Sequence, residues 1–250
     1  MRAAHGRQWC AALALLAGCA AAVAQTGPRA AADPWEGFNR AVFGFNDAVD
    51  EAVLKPVAQA YSAVLPRPVR IAVGNVYGNF DDAWSAVNHL LQGKGQSGLE
   101  MTMRVLVNST FGLGGLLDPA SEMRLDRRSE DLGQTLAVWG VGSGPYVVLP
   151  LLGPSTVRDT LALPADRAVS PSRLPDREAS RTALTALGIV DTRARLLSAT
   201  ELLGQVALDR YTFVRDAYLS RRRDQIFDGA APLEDFGDEP EAAPAPQPRR

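Results

Sequence analysis

Cys19 has the most clearly marked chemistry in this sequence. It follows Leu16-Ala17-Gly18, and the four residues together have the form of a lipobox. Their small side chains let an extended backbone enter a narrow protease groove, after which the Cys19 thiol becomes a lipid attachment point and the new N-terminus. A competing A-x-A pattern at residues 22–24 predicts ordinary secretion instead. We favour the lipobox, because a Cys seldom follows Leu-Ala-Gly by chance at the end of an apolar segment.

The residues before Cys19 have the layout of a secretory signal peptide. Arg2 and Arg7 form a basic region, and residues 9–16 form a short apolar region before the small residues. Spanning a bilayer needs about 20 apolar residues, so this region is too short to do so. Because no Asp follows Cys19 to mark retention at the inner membrane, we expect outer-membrane sorting. Residues 1–18 are therefore predicted to be a lipoprotein signal peptide.

Catalysis by Cys or His has few candidate residues in this chain. Cys10 and His5 fall in the predicted signal peptide, so the mature chain has no free Cys and keeps only His89. Zinc sites of the Cys/His type need several such ligands, and a Ser-His-Asp triad would have to be built on His89. No G-x-S-x-G elbow is present. We predict no metal, no cofactor and no catalytic residue, and we expect His89 to be a surface or packing residue.

The remaining polar motifs are weak signals. The glycines of residues 112–115 lack the G-K-[ST] ending and the preceding strand of a phosphate loop. Asp81-Asp82 and Glu130-Asp131 are adjacent pairs, and adjacent residues on a helix point apart, so we expect solvated or capping carboxylates. Arg outnumbers Lys by 24 to 2, and Arg is suited to binding phosphate through its planar fork.

Composition limits the class of protein. Removing residues 1–18 from the 250 leaves one large domain or two small ones, and 46% apolar residues suffice for a core. The loss of Arg2 and Arg7 lowers the net charge from −2 to about −4. A nucleic-acid-binding protein would have a strongly basic face, so we expect no nucleic-acid partner.

The first helices show clear apolar periodicity. Residues 19–33 are predicted to be a flexible tether, and Asp33-Pro34-Trp35-Glu36 suits a helix start with Asp33 as the cap. An apolar stripe then runs to Val53, and Pro56 should kink or end this helix. Asn39 and Asn46 are seven residues apart and so share one face of it. Further stripes predict helices over residues 69–91 and about 97–111.

Residues 132–157 contain no charged side chain but five Gly and three Pro, which makes a poor transmembrane helix. They form either a buried irregular core segment or a segment that meets lipid while surrounding protein satisfies its backbone. Only residues 146–149 look extended. Residues 158–181 read as surface loops, and a last helical stripe runs from Leu196 to Tyr218, ending in Arg221-Arg222-Arg223-Asp224. Those cations suit a helix C-terminus better than a phosphate-binding cluster.

These segments together resemble the VacJ/MlaA family of outer-membrane lipoproteins over roughly residues 33–227. Leu132 departs from the family, in which an aromatic residue is common at this position, and residues 160–195 match only loosely. The matching motifs are Asp33-Pro34-Trp35-Glu36-Gly37-Phe38-Asn39-Arg40, Phe45-Asn46, Val107-Asn108-Ser109-Thr110-Phe111-Gly112-Leu113-Gly114-Gly115, Asp131-Leu132-Gly133-Gln134-Thr135-Leu136, Trp139-Gly140-Val141-Gly142-Ser143-Gly144-Pro145-Tyr146, Leu149-Pro150 and Gly153-Pro154-Ser155-Thr156-Val157-Arg158-Asp159.

The resemblance implies an all-α, ring-shaped domain over residues 34–228, seated in the inner half of the outer membrane, followed by a disordered tail over residues 229–250. It implies a central amphipathic channel that lets mislocalised phospholipid leave the outer leaflet. The lipid then passes to a soluble periplasmic carrier and on to an inner-membrane ATP-driven complex, and the ring associates with trimeric porins. This is transport rather than covalent catalysis. An envelope phospholipase that uses His89, and a passive structural anchor, are the alternatives.

Two groups of residues carry the expected site. The first holds the channel and gating candidates, of which Phe45 and Asn46 are placed in the gating region by the resemblance. The second holds the candidates for membrane contact in the uncharged segment. The first group is Asn39, Phe45, Asn46, Gly112, Gly114 and Gly115; the second is Trp139, Tyr146, Val147, Leu149 and Leu151.

Overall fold

A computed structural model describes residues 33–231 of the chain. The predicted signal peptide, Cys19, the tether up to residue 32 and residues 232–250 of the predicted tail lie outside the described residues.

The first helical arm combines α1 (Glu36–Val49), a single π-helical turn (Asp50–Leu54) and α2 (Lys55–Val64). Of the two outcomes predicted for Pro56, a kink or an end, the structure excludes the end. Pro56 lies in the first turn of α2, directly after the π-helical turn, where a missing N–H costs little. Asp33 does not cap α1, contrary to the prediction. Trp35 stands at the cap position, and Asp33 is buried against the last helix of the described residues instead.

The next two helices, α3 (Arg67–Leu91) and α4 (Gly95–Thr110), follow the predicted bounds closely and pack along each other. Gly98 permits their close approach, because a Cβ at this position would lie 2.8 Å from Leu90 Cδ2. The short α5 (Pro119–Glu122) follows, with Asp118 as its cap.

The uncharged segment forms α6 (Leu132–Val138) and a two-stranded antiparallel hairpin of β1 (Tyr146–Leu149) and β2 (Gly153–Thr156). The extended piece predicted at residues 146–149 is confirmed as β1. The hairpin leads directly into α7 (Val157–Asp166), which Thr156 caps by accepting a hydrogen bond from the Asp159 amide at 3.2 Å. The prediction of a surface loop from residue 158 was therefore wrong.

The C-terminal part contains a 3₁₀ turn (Pro171–Arg173), α8 (Glu178–Arg195), α9 (Leu197–Val206) and α10 (Arg210–Ile226). The sequence did not predict α8. It predicted one helical stripe from Leu196 to Tyr218, where the structure has the two helices α9 and α10. The break occurs because Asp209 caps α10, accepting hydrogen bonds from the amides of Tyr211 and Thr212.

The interior of the described part is more polar than apolar. Eleven apolar residues are buried, against seventeen polar or charged ones. The buried apolar residues include two small clusters, one around Ala58, Tyr61 and Ala194 and the other around Tyr146, Val148 and Tyr211. Within residues 33–231, no helix combines the length and the apolar character needed to cross a membrane.

Candidate functional site

Two asparagines of α1 hold the β-hairpin against that helix, and we call this pair the amide clamp. Asn39 Nδ2 donates to the Tyr146 carbonyl at 3.1 Å, and its Oδ1 accepts from the Val148 amide at 2.8 Å. Asn46 repeats the pattern, donating to the Leu149 carbonyl at 2.9 Å and accepting from the Leu151 amide at 2.8 Å. The expectation that the two side chains share a helix face is confirmed.

The clamp changes the interpretation of the α1 candidates. Asn39 is fully buried and also donates to Asp33 Oδ1 at 2.8 Å, so its side chain does not line a channel. A gating role for Asn39 would act through the hairpin that it holds. Phe45 has 53% of its surface exposed, and Asn46 is half-buried against the hairpin. The α1 candidates therefore combine one exposed aromatic ring with two hairpin contacts.

Removing the clamp should loosen the hairpin. In Asn39→Ala the Tyr146 carbonyl and the Val148 amide lose their side-chain partner, and leaving buried polar groups unpaired costs about 1–3 kcal/mol. We expect that loss in the free energy of unfolding, together with faster hydrogen exchange at Val148. Asn46→Ala should speed exchange at Leu151. Asn75→Ala, which removes one exposed bond to the Leu116 carbonyl, is the control. Unchanged exchange at both hairpin amides would contradict the clamp.

The glycine-rich turn at residues 112–115 follows the end of α4 and packs against α3. Gly114 and Gly115 have φ of 74° and 92°, a region that favours glycine. A Cβ on Gly112 would lie 2.4 Å from the Asn108 carbonyl oxygen, and a Cβ on Gly115 would lie 3.1 Å from Asn79. Close backbone atoms thus explain Gly112, and the Asn79 side chain together with a positive φ explains Gly115. The turn leaves Phe111 and Leu113 projecting outward, with 75% and 70% of their surfaces exposed.

The membrane-contact candidates fall into three groups. Trp139 and Leu151 have 57% and 62% of their surfaces exposed, whereas Val147 and Leu149 are half-buried. Tyr146 is only 1% exposed, because its ring packs against Tyr211 and Tyr218 with centroid distances of 6.4 and 6.0 Å. Tyr146 does not belong to an outward-facing surface, and its assignment to that group is corrected.

Many large apolar residues of the described chain are exposed. Thirty-two of them have exposed side chains, against eleven buried apolar residues of any size. Exposed residues of α1, α3, α4 and the turns beside them include Phe38, Val53, Val69, Val87, Leu90, Leu99, Met103, Leu106, Leu116 and Leu117.

A buried ion cluster is centred on Arg104, which sequence reasoning missed. The Arg104 side chain is fully buried, with Nε 3.2 Å from Asp82 Oδ2 and Nη2 3.0 Å from both carboxylate oxygens of Asp118. It also donates to the Leu125 carbonyl, and Asn108 donates to Asp118 at 2.9 Å. This cluster ties α3, α4 and the loop after α5 together. The sequence contained one indication of this cluster, because Arg104 and Asn108 are four residues apart and therefore share a helix face.

A second ion cluster joins α10 to the starts of α6 and α7. Arg222 contacts Asp131 at 2.5 and 2.6 Å and Asp159 at 2.9 and 3.0 Å, while the Tyr218 hydroxyl donates to Asp159 at 2.8 Å. Burial by itself raises the pKa of both carboxyls, but Arg222 outweighs it and holds each pKa below its ordinary value. Gly133 leaves room for the cluster, because a Cβ there would lie 2.4 Å from Arg222 Nη2.

Asp131 also caps α6 by accepting from the Gln134 amide at 2.9 Å, so the predicted capping role is confirmed for this carboxylate. Glu130, by contrast, is buried and bonded to Gln92 at 2.8 Å and Lys94 at 3.1 Å rather than solvated. Asp82 likewise was expected at the surface and lies in the Arg104 cluster.

The ring of His89 is 1% exposed, and Nε2 lies 3.1 Å from the Arg128 carbonyl oxygen. Nδ1 lies 3.9 Å from Glu130 Oε1, and these contacts give His89 a packing role, one of the two roles expected from sequence. Within residues 33–231, no group of three or more His, Cys, Asp or Glu side chains is placed to hold a metal ion.

The structure thus defines a mainly helical protein with ion pairs in its interior and many exposed large apolar side chains. The model of the MlaA lipoprotein family matches residues 31–225, and this chain belongs to that family.

Relatives and a solved structure agree with this assignment. The chain is 37% identical over 211 residues to the intermembrane phospholipid transport system lipoprotein MlaA of Escherichia coli K12, covering 83% of this chain and 82% of the relative. For the protein of that name in Haemophilus influenzae, identity is 33% and the coverages are 79% and 80%. A solved structure that explains how bacterial outer membrane lipid asymmetry is maintained is also similar. It superposes with a TM-score of 0.68 at 35% sequence identity, and the match covers 78% of this chain and 98% of that chain. The predicted all-α, ring-shaped fold is confirmed.

Proposed function

We propose that this protein is an outer-membrane lipoprotein that removes mislocalised phospholipid from the outer leaflet and so maintains lipid asymmetry. The lipid would pass through an amphipathic channel to a soluble periplasmic carrier. Relatives named as intermembrane phospholipid transport system lipoproteins support this function, as does the solved structure concerned with outer membrane lipid asymmetry.

The observation that carries the proposal is the large number of exposed apolar side chains around an interior rich in polar and charged groups. Each Å² of apolar surface moved out of water stabilises by about 25 cal/mol, so these side chains favour an apolar environment. The helical body would sit partly within the membrane on its periplasmic side, with Trp139 and Leu151 among the lipid contacts. Acyl chains on Cys19 would then be a second attachment to the membrane. One acyl chain alone holds a protein only weakly, whereas several chains hold it firmly.

The amide clamp and the glycine-rich turn would serve the lipid path. A phospholipid needs an apolar wall for its tails and polar groups for its headgroup. The exposed ring of Phe45 beside Asn46 supplies an apolar group next to a hairpin contact, and movement of the hairpin relative to α1 would gate the path. The turn at residues 112–115 would form an apolar rim.

The proposed function also implies protein partners and an organisation of the chain into segments. Trimeric porin and the soluble carrier are the proposed protein partners, the porin against the apolar exterior. Residues 1–18 would be removed, residues 19–33 would tether the body, residues 34–228 would form it, and residues 229–250 would be a disordered tail.

Deletion of the gene tests the proposal. We expect outer-leaflet phosphatidylethanolamine to become accessible to a membrane-impermeant amine reagent, and cells to become sensitive to detergent with chelator. Expression of the wild-type chain from a plasmid should restore both properties. Normal leaflet asymmetry in the deletion strain would contradict transport. Full complementation by variants with bulky substitutions at Phe45 and Gly114 would indicate a passive anchor instead.

A further inference from the structure

A polar cavity of about 300 Å³ lies where the π turn, α2, α8, α9 and α10 meet. Pockets that bind small ligands begin at about this volume. Six of its lining residues are charged, three of each sign, so the lining has no net formal charge. They are Asp50, Glu51, Lys55, Arg193, Glu201 and Arg210.

Ion pairs hold two of the cations rigidly in the wall. Arg193 binds Asp50 through two parallel contacts of 2.6 and 2.7 Å, and Nη1 donates to Thr200 at 3.1 Å. Arg210 contacts the two oxygens of Asp47 at 2.8 Å each. The Arg210 Nε is buried and has no hydrogen-bond partner within residues 33–231. The Arg210 side chain as a whole is 39% exposed and lines the cavity, so its outer N–H groups can donate to a further anion at little entropic cost.

Other charges at the cavity are loosely engaged. Lys55 Nζ lies 3.9 Å from Glu51 Oε1, and both side chains are largely exposed. Glu201 lines the cavity, and its side chain has no hydrogen bond or ion pair to any other residue of the described part of the chain. The cavity therefore contains the exposed ammonium group of Lys55 and the carboxylates of Glu51 and Glu201, which can bind a cationic group of a ligand. These groups lie beside the ion-paired guanidinium groups of Arg193 and Arg210.

We propose that this cavity binds the zwitterionic headgroup of a phospholipid, namely a phosphoethanolamine group. Lys55 and Arg210 contact the phosphate, and Glu201 with Glu51 accepts hydrogen bonds from the primary ammonium. A lining without net charge suits a ligand without net charge. An anionic phosphoglycerol headgroup has no cation for Glu201 and is bound less well. This assignment rests on the proposed transport function and adds its headgroup preference.

Competition between two lipids tests the site. Full-length lipidated protein in detergent is equilibrated with an equimolar mixture of phosphatidylethanolamine and phosphatidylglycerol, and bound lipid is quantified by mass spectrometry. The wild type should retain more phosphatidylethanolamine. An exposed ion pair contributes up to about 1 kcal/mol, so Glu201→Gln should lower the ratio of the two bound lipids by about fivefold. Glu178→Gln, an exposed carboxylate in the first turn of α8, is the matched control.

A second variant separates the two ends of the headgroup. Lys55→Gln should reduce binding of both lipids, because both contain the phosphate, and should change their ratio little. An unchanged ratio in Glu201→Gln overturns the headgroup site while transport stands. Inorganic phosphate that displaces phosphatidylethanolamine at equal concentration shows a free-phosphate site and also overturns it. Wild-type protein that binds neither lipid contradicts the transport function itself.

Discussion

Arg104→Ala is expected to be the most destabilising single substitution in the described part of this protein. The substitution leaves Asp82 and Asp118 without their shared guanidinium and frees the Leu125 carbonyl. Breaking a buried ion pair by removing one partner costs about 3–5 kcal/mol, a large part of the 5–15 kcal/mol that stabilises a typical domain. Arg127 remains beside Asp82, with Nε 2.8 Å from Oδ1, so the lower half of that range is expected.

Thermal unfolding of the detergent-purified protein, followed by circular dichroism, measures this loss. Arg128→Ala is the control, because its pair with Glu100 is long, at 3.7 Å, and exposed, and should contribute less than about 1 kcal/mol. If Arg104→Ala does not accumulate, Arg104→Lys provides an intermediate case, since an ammonium group keeps the charge but loses the planar fork. Equal stability of the Arg104 and Arg128 variants would contradict a structural role for the cluster.

Arg222→Ala is expected to cost up to about 3 kcal/mol at neutral pH, the low end for a broken buried ion pair. Asp159 is buried but keeps Arg158 at 3.0 Å, and the Asp131 side chain is 32% exposed. The substitution should also release α10 from the starts of α6 and α7. The resulting local opening should appear as faster hydrogen exchange in α6, where Asp131 is both cap and ion-pair partner. Arg221→Ala changes the exposed neighbouring residue and should leave exchange in α6 unchanged.

The cost of Arg222→Ala should depend on pH. In the folded protein the pKa values of Asp131 and Asp159 lie below the ordinary 3.8. The stabilisation from their pairing is therefore present above that pH and is lost as the pH falls through the folded-state values. Burial raises the pKa of the neighbouring Asp166, so the contribution of Asp166 to stability falls as the pH rises. This contribution has the same direction in the wild type and in the Arg222 variant. The stability difference between wild type and variant should narrow in acid, and a difference that stays constant down to pH 3 would contradict the assignment.

Local features of the sequence predicted the first half of the fold well. The bounds of α3 and α4 follow from apolar periodicity and from nearby Pro and Gly, which act within a few residues. The seven-residue spacing of Asn39 and Asn46 identified a shared face for the same reason. By contrast, α8 was missed, and Asp33 and Asp82 were misplaced at a cap or on the surface. Their positions depend on partners far along the chain, such as Tyr211, which donates to Asp33.

The sequence by itself determined the family, the helical class, the predicted lipid attachment at Cys19 and the main early helices, because these depend on local patterns or a linear motif. Only the tertiary structure decided which side of each helix faces inward. Periodicity shows that Phe38, Phe45 and Val53 form an apolar stripe, but a stripe is equally compatible with a protein core and with lipid, since both are apolar. The structure places these three residues outside and the ion clusters inside. The buried charges find their partners on other helices, which periodicity along one helix does not reveal.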